Sequence, residues 1–100
     1  MASGSIKKEG GSIVFKSVDF SIPSNQIAGG SYAEISNIDV TQTGWEPISL
    51  TRVYTNRSNA VLCGFTLARS NNTVRLMIKN VSQNAVVVDS GAITVLYAQV

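Results

Sequence analysis

A chain of 100 residues is one domain, large enough for a core of its own, and its net charge of +2 carries no clustered basic stripe of the kind nucleic acid requires. Charged residues are 14%, against roughly 25% in typical soluble domains, while hydrophobic residues are 44%; the chain is therefore not of the disordered class, and its polar surface is mostly Ser, Thr, Asn and Gln. No histidine and a single cysteine exclude Ser-His-Asp and Cys-His catalysis, His-ligated metal, CxxC chemistry and an intrachain disulfide.

Residues 1–11 form a flexible lead-in of small residues with Lys7, Lys8, Glu9 and a Gly10-Gly11 pair, and 12–100 form the domain proper. The lead-in lacks the apolar stretch of a secretory signal, and no segment approaches the roughly 20 apolar residues of a membrane span, so no membrane insertion is expected. The first apolar segment, SIVFKSVDFSI, alternates Val18, Phe20 and Ile22 with Ser17, Asp19 and Ser21; Pro23 ends it, and SNQIAGG follows as a loop. SYAEISNIDV predicts a strand over Tyr32 to Val40, with Ile38 and Val40 in phase and Ile35 out of phase, as a bulge or a two-faced strand would produce. QTG turns the chain into WEPISLTRVY, which carries Trp45, Ile48, Leu50 and Tyr54, and TNRSN is a polar turn.

AVLCGFTLAR comes next, with Val61, Cys63, Phe65 and Leu67 on one face and Ala60, Leu62 and Ala68 on the other; Cys63 is expected to pack as a small buried hydrophobe. SNN turns into TVRLMIKNV, where Val74, Leu76 and Ile78 alternate with Arg75, Met77 and Lys79. AVVVD and GAITVLYAQV close the chain. About seven short strands punctuated by Gly, Asn, Ser and Pro, without any 3.6-residue periodicity, predict an all-β fold, an antiparallel, jelly-roll-like β-sandwich. The strands AVLCGFTLA and AITVLYA offer little polar surface on either side. A loop or inner packing position would cover the second face, or a subunit interface would; the interface, in a closed homo-oligomer, is the favoured expectation.

The acids Glu9, Asp19, Glu34, Asp39, Glu46 and Asp89 are spread one per segment, as solvated carboxylates rather than a catalytic pair, and nothing has the dense oxygen spacing of a calcium loop. No enzyme activity, metal or cofactor is expected. Asn56, Asn71 and Asn80 open Asn-x-Ser/Thr sequons, which suit turn chemistry better than glycosylation. For contact with a ligand, Trp45, Tyr32 and Tyr54 flank predicted turns, and Arg52, Asn56, Arg57 and Asn59 lie in or beside the RVYTNRSN corner. Sugars stack on aromatic rings while amides and guanidinium groups bond their hydroxyls. The candidate receptor-binding residues are therefore Tyr54, Asn56, Arg57, Asn59, Trp45 and Tyr32. For Trp45 the favoured alternative is a packing anchor, with Pro47 fixing the start of its strand and Tyr54 capping the far end.

Gly44, Trp45, Pro47 and Ile48, the strand VRLMIKNVSQNA in which Asn80 opens a small-residue turn, and the closing ITVLYAQV together resemble a pattern in C-terminal domains of tail-fibre and minor structural proteins of tailed phages and prophages of gut bacteria. In that family a Gly-aromatic-x-Pro-Ile element starts a strand and a Val-Leu-Tyr run ends the chain. The resemblance covers roughly residues 12–100. It implies a homotrimeric β-sandwich knob at a fibre tip, non-catalytic, which recognises a receptor on the host bacterial surface, a glycan or a protein. Residues 1–11 would then be a shaft stub. The expected location is the phage virion, after assembly in the host cytoplasm, and release by lysis needs no secretion signal. Two other functions remain open on the residues alone: a structural virion protein, as a decoration or tail spacer without receptor binding, and a bacterial carbohydrate-binding lectin module.

Overall fold

The computed structural model describes residues 13–100; the expected lead-in at 1–11 lies outside them. Among the described residues there are eight strands and no helix: β1 (Phe15–Ser21), β2 (Asn25–Ile27), β3 (Tyr32–Asp39), β4 (Trp45–Thr55), β5 (Ala60–Ala68), β6 (Thr73–Asn80), β7 (Val86–Val88) and β8 (Gly91–Gln99). They form two three-stranded sheets, β1-β8-β4 and β3-β6-β5, and a ribbon, β2-β7, with every pairing antiparallel. The domain is all-β, as its alternation and turn residues predict. The extra strand is β2, inside the segment expected to be a loop. Three residues are too few to show a period, and Ile27 is in fact almost fully buried.

The two sheets lie face to face. Residues 56–59 join β4 to β5 at one end of the sandwich. At the other, the Tyr97 hydroxyl of β8 donates to the Val40 carbonyl beyond β3 (2.6 Å), and Arg69 Nη2 donates to the Ile48 carbonyl (3.1 Å). Ile35, Ile38, Val74, Leu76 and Ile78 from one sheet meet Ile93, Val95 and Tyr97 from the other, all buried. The pairings β1·β8, β2·β7 and β3·β6 are nested, so β2-β7 carries the chain across from one sheet to the other. The innermost pair of a full jelly roll, β4 with β5, is not formed: β4 joins β8 and β5 joins β6.

Bulges settle the phase of the strands. In β3 the register shifts between Ile35 and Ile38, with Asn37 at a φ of 62°, so both isoleucines point inward; the bulge reading of that slip is correct. In β5 the shift lies between Leu62 and Gly64, and it overturns the expected two-faced strand. Ala60 and Leu62 before the shift, and Phe65 and Leu67 after it, all oppose inward residues of β6 (Asn80, Ile78, Leu76 and Val74); Val61, Gly64, Thr66 and Ala68 point outward. Cys63, expected inside, is the extra residue of the bulge and is exposed. Phe65 is on the inward phase but sits on an edge strand and remains 47% exposed. In β8, Ile93, Val95 and Tyr97 are inward, while Thr94 and Leu96 are half-buried on the outside.

Each edge strand of the two three-stranded sheets carries a feature that opposes pairing with another sheet. Lys16 alternates into the inward phase of β1, opposite Tyr97. β3 and β5 are bulged, and β4 has Pro47 and two register shifts.

Trp45 closes the sandwich at its Tyr97 end. Gln42 and Gly44, the latter at a φ of 84°, turn the chain so that the Trp45 N–H donates to the Gln42 carbonyl (2.9 Å). The indole is half-buried and packs against the core, with the Lys16 ammonium 4.5 Å above its ring, 5.9 Å from the Tyr97 ring, and bonded to Gln42 Oε1 at 3.2 Å. Burial, and secondarily the Asp39 carboxylate, push the Tyr97 phenol up to about 12. A phenol whose folded pKa exceeds its unfolded value near 10 stabilises the fold fully below pH 10 and loses that contribution as pH rises toward 12. Denaturant titrations should show stability falling over that window, and Tyr97→Phe should flatten the fall while lowering stability at neutral pH. An unchanged alkaline slope in the variant would show that Tyr97 does not govern it.

Candidate recognition surface

The structure separates the six candidate contact residues. Tyr54, Asn56, Arg57 and Asn59 lie at the β4–β5 end, and Tyr32 starts β3 at the same end, near Asn80 and Ala60. Trp45 is at the opposite end of β4, about 30 Å away at the rise of an extended strand. Tyr54 faces outward from the β1-β8-β4 sheet and Tyr32 from the β3-β6-β5 sheet, opposite Ala92 and Lys79 respectively. They do not converge on one site.

The polar corner is partly occupied by its own structure. Asn56 Nδ2 donates to Asp89 Oδ1 (2.7 Å), and Asn56 Oδ1 accepts from the Ser90 N–H (3.3 Å). Arg57 Nε donates to the Val87 carbonyl (2.9 Å), and the Asn59 carbonyl accepts from the Val81 N–H (2.9 Å). Asn56 thus ties the β4–β5 connection to the β7–β8 turn, and Arg57 ties it to β7. The exposed tyrosines each carry a cation: Lys79 Nζ lies 4.9 Å from the Tyr32 ring, and the Arg52 guanidinium carbon 5.3 Å from the Tyr54 ring. Tyr32 is 59% exposed and Tyr54 46%.

A second region lies on the outer face of β3-β6-β5, the face that Tyr32 shares. Outward residues of β6 (Thr73, Arg75, Met77 and Lys79) run down its middle, flanked by Tyr32, Glu34 and Asp39 on β3 and by Val61, Gly64, Thr66 and Ala68 on β5. The Ser36-Asn37 bulge and the wall of β5 enclose a depression of about 380 Å³ lined by Ser36, Asn37, Thr66, Ala68, Thr73 and Arg75. An adjoining one of about 210 Å³ is lined by Gly64, Phe65, Thr66, Arg75 and Met77. No side chain at Gly64 fills the gap: a Cβ there would meet nothing within 4 Å.

The groove is rich in free polar groups. Among the described residues, the side chains of Ser36, Asn37 and Thr66 have no hydrogen-bond partner. Arg75 Nη1 touches Glu34 Oε2 at 3.4 Å, and both side chains are about half exposed. At the far end of the face, the side chain and backbone N–H of Thr41 hold the Asp39 carboxyl below the usual carboxylate range. Among the described residues no three His, Cys, Asp or Glu side chains cluster to hold a metal ion. The sequence reading missed Ser36, Asn37, Thr66 and Arg75 as a group. Its one local signal was the phase slip around Ser36-Asn37, since a bulge in an edge strand re-aims side chains. Compared with known proteins, the chain matches no family model, no curated protein and no solved structure.

Proposed function

We propose that the chain is a non-catalytic recognition domain of the phage fibre-tip type, which binds a glycan on the host bacterial surface through the outer face of β3-β6-β5 and works as a homotrimer. The observation that carries the reading is the groove on that face, where the side chains of Ser36, Asn37 and Thr66 have no hydrogen-bond partner among the described residues: free hydroxyl and amide groups are what sugar hydroxyls engage. A groove this open makes few contacts per copy. Three copies on one trimer, and many trimers on one particle, supply the avidity that one shallow site lacks.

Guarded edges leave faces and ends for contact between copies. Val14, Phe15 and Val100 support such a contact at the Trp45 end of the sandwich: they are exposed, apolar and close together, with Val14 bonded to Gln99 and Val100 to Gly44. The test is retention of labelled domain on host cells before and after enzymatic stripping of surface glycans, together with light scattering. Binding that disappears with the glycans, from a particle of three times 10.6 kDa, is the expected result. Equal retention on stripped cells would sink the glycan reading, and a monomer at micromolar concentration would sink the trimer.

A further inference from the structure

We infer that the groove takes a saccharide bearing a carboxylate, with the acid held by Arg75; the inference rests on the reading of this face as a glycan site and names its ligand class. The two depressions share Thr66 and Arg75, so a ligand that spans them must cross the guanidinium. Among the described residues, Arg75 is the only charged one lining either depression, and the rest of that lining is neutral. A planar guanidinium offers paired N–H donors that match a carboxylate.

Arg75 is not committed elsewhere. Its bond to Glu34 is one long contact of 3.4 Å through Nη1, between side chains 55% and 47% exposed, and pairs of that kind contribute little. Exchanging Glu34 for a ligand carboxylate therefore costs little, and Nη2 and Nε carry no other bond within the described residues. Ser36, Asn37 and Thr66 are placed to bond the sugar hydroxyls, and Met77 offers apolar surface to its CH face.

The test is calorimetric titration of the full chain with an oligogalacturonate and with a neutral maltooligosaccharide of equal length. Expected is binding of the uronate alone, weakening as salt is raised. Arg75→Ala should weaken it by about tenfold or more, since hydrogen bonds to charged groups are the stronger kind. Arg75→Lys should retain part of the affinity as a point charge, and Glu34→Gln, which removes the internal competitor, should raise it. Equal affinity for the neutral sugar, or uronate binding indifferent to Arg75→Ala, overturns the inference and leaves the glycan reading standing. Binding of neither sugar also overturns it. Cell retention then decides the glycan reading separately, because that reading fails only if stripped cells retain the domain equally well.

Discussion

Asn80→Ala is expected to destabilise the domain by about 3 kcal/mol or more, enough to lower its melting temperature by roughly 12–24 °C for a chain of this size. Asn80 ends β6, is completely buried, and is the one buried polar residue of the described core. All four of its hydrogen-bonding positions are used. Nδ2 donates to the carbonyls of Ile27 (2.9 Å) and Asn84 (2.8 Å), while Oδ1 accepts from the N–H (2.9 Å) and hydroxyl (2.7 Å) of Ser82. Alanine leaves the Ile27 carbonyl and the Ser82 N–H without their partner in a place water reaches poorly, and each orphan costs about 1–3 kcal/mol.

Asn80→Asp separates these bonds from mere shape. Aspartate keeps the volume but cannot donate when ionised, and it would face two carbonyl oxygens. Its folded pKa would be raised above the unfolded value near 3.9, so the variant should be most stable in acid and lose stability as pH rises above about 4. A variant as stable as the parent at pH 7 would show that the two donated bonds contribute little. The same burial answers the sequon at Asn80: its amide nitrogen is not accessible in the folded domain.

The importance of Asn80 was only half legible beforehand. Its place at the start of a small-residue turn was visible in KNVSQNA, but burial was not, because it depends on β2 pairing with β7 directly above it. Strand existence was readable wherever alternation was clean, as at Val18-Phe20 and Val74-Leu76-Ile78, which are inward in the structure. Where one residue is inserted, alternation misleads. The run AVLCGFTLA has too many apolar residues for one face only until Cys63 is removed from the count; its apolar residues other than Val61 and Ala68 then share the inward phase. A bulge has no residue signature of its own there, so the run read as a strand with two apolar faces. The groove was less legible still. Thr66 and Arg75 are partners across one hairpin, but Ser36 lies on a distant strand, and only the order β3-β6-β5 brings all three to one surface. The corner at 56–59 drew attention because its residues are adjacent, yet Asn56 and Arg57 are engaged in holding the connection to its neighbours.

Gly29→Ala should be about as damaging as Asn80→Ala, for a steric reason at the same joint. A Cβ on Gly29 would overlap the Gln83 carbonyl oxygen and lie 2.5 Å from its carbon and 3.0 Å from the Asn84 nitrogen. These are backbone atoms of the loop that Asn80 organises, and no rotamer change relieves the overlap. The turn after β2 is bonded to that loop beside the clash, with the Gly30 N–H donating to the Ser82 carbonyl (3.0 Å). Forcing the two segments apart is expected to cost about 3 kcal/mol, the upper range for overpacking. Two other glycines make the control. Gly30 has open space but a φ of 71°, so Gly30→Ala should cost only about 1–2 kcal/mol of backbone strain. Gly64 has neither a neighbour nor a positive φ, so Gly64→Ala should leave the melting temperature nearly unchanged. If Gly29→Ala ranked with Gly64→Ala, close contact between the β2–β3 turn and the β6–β7 loop would not matter to stability. Because the β2-β7 ribbon carries the chain from one sheet to the other, damage at this joint should lower one cooperative transition rather than split it. Near- and far-ultraviolet signals from Gly29→Ala should therefore melt together, and separate transitions would show a ribbon that unfolds independently of the sandwich it spans.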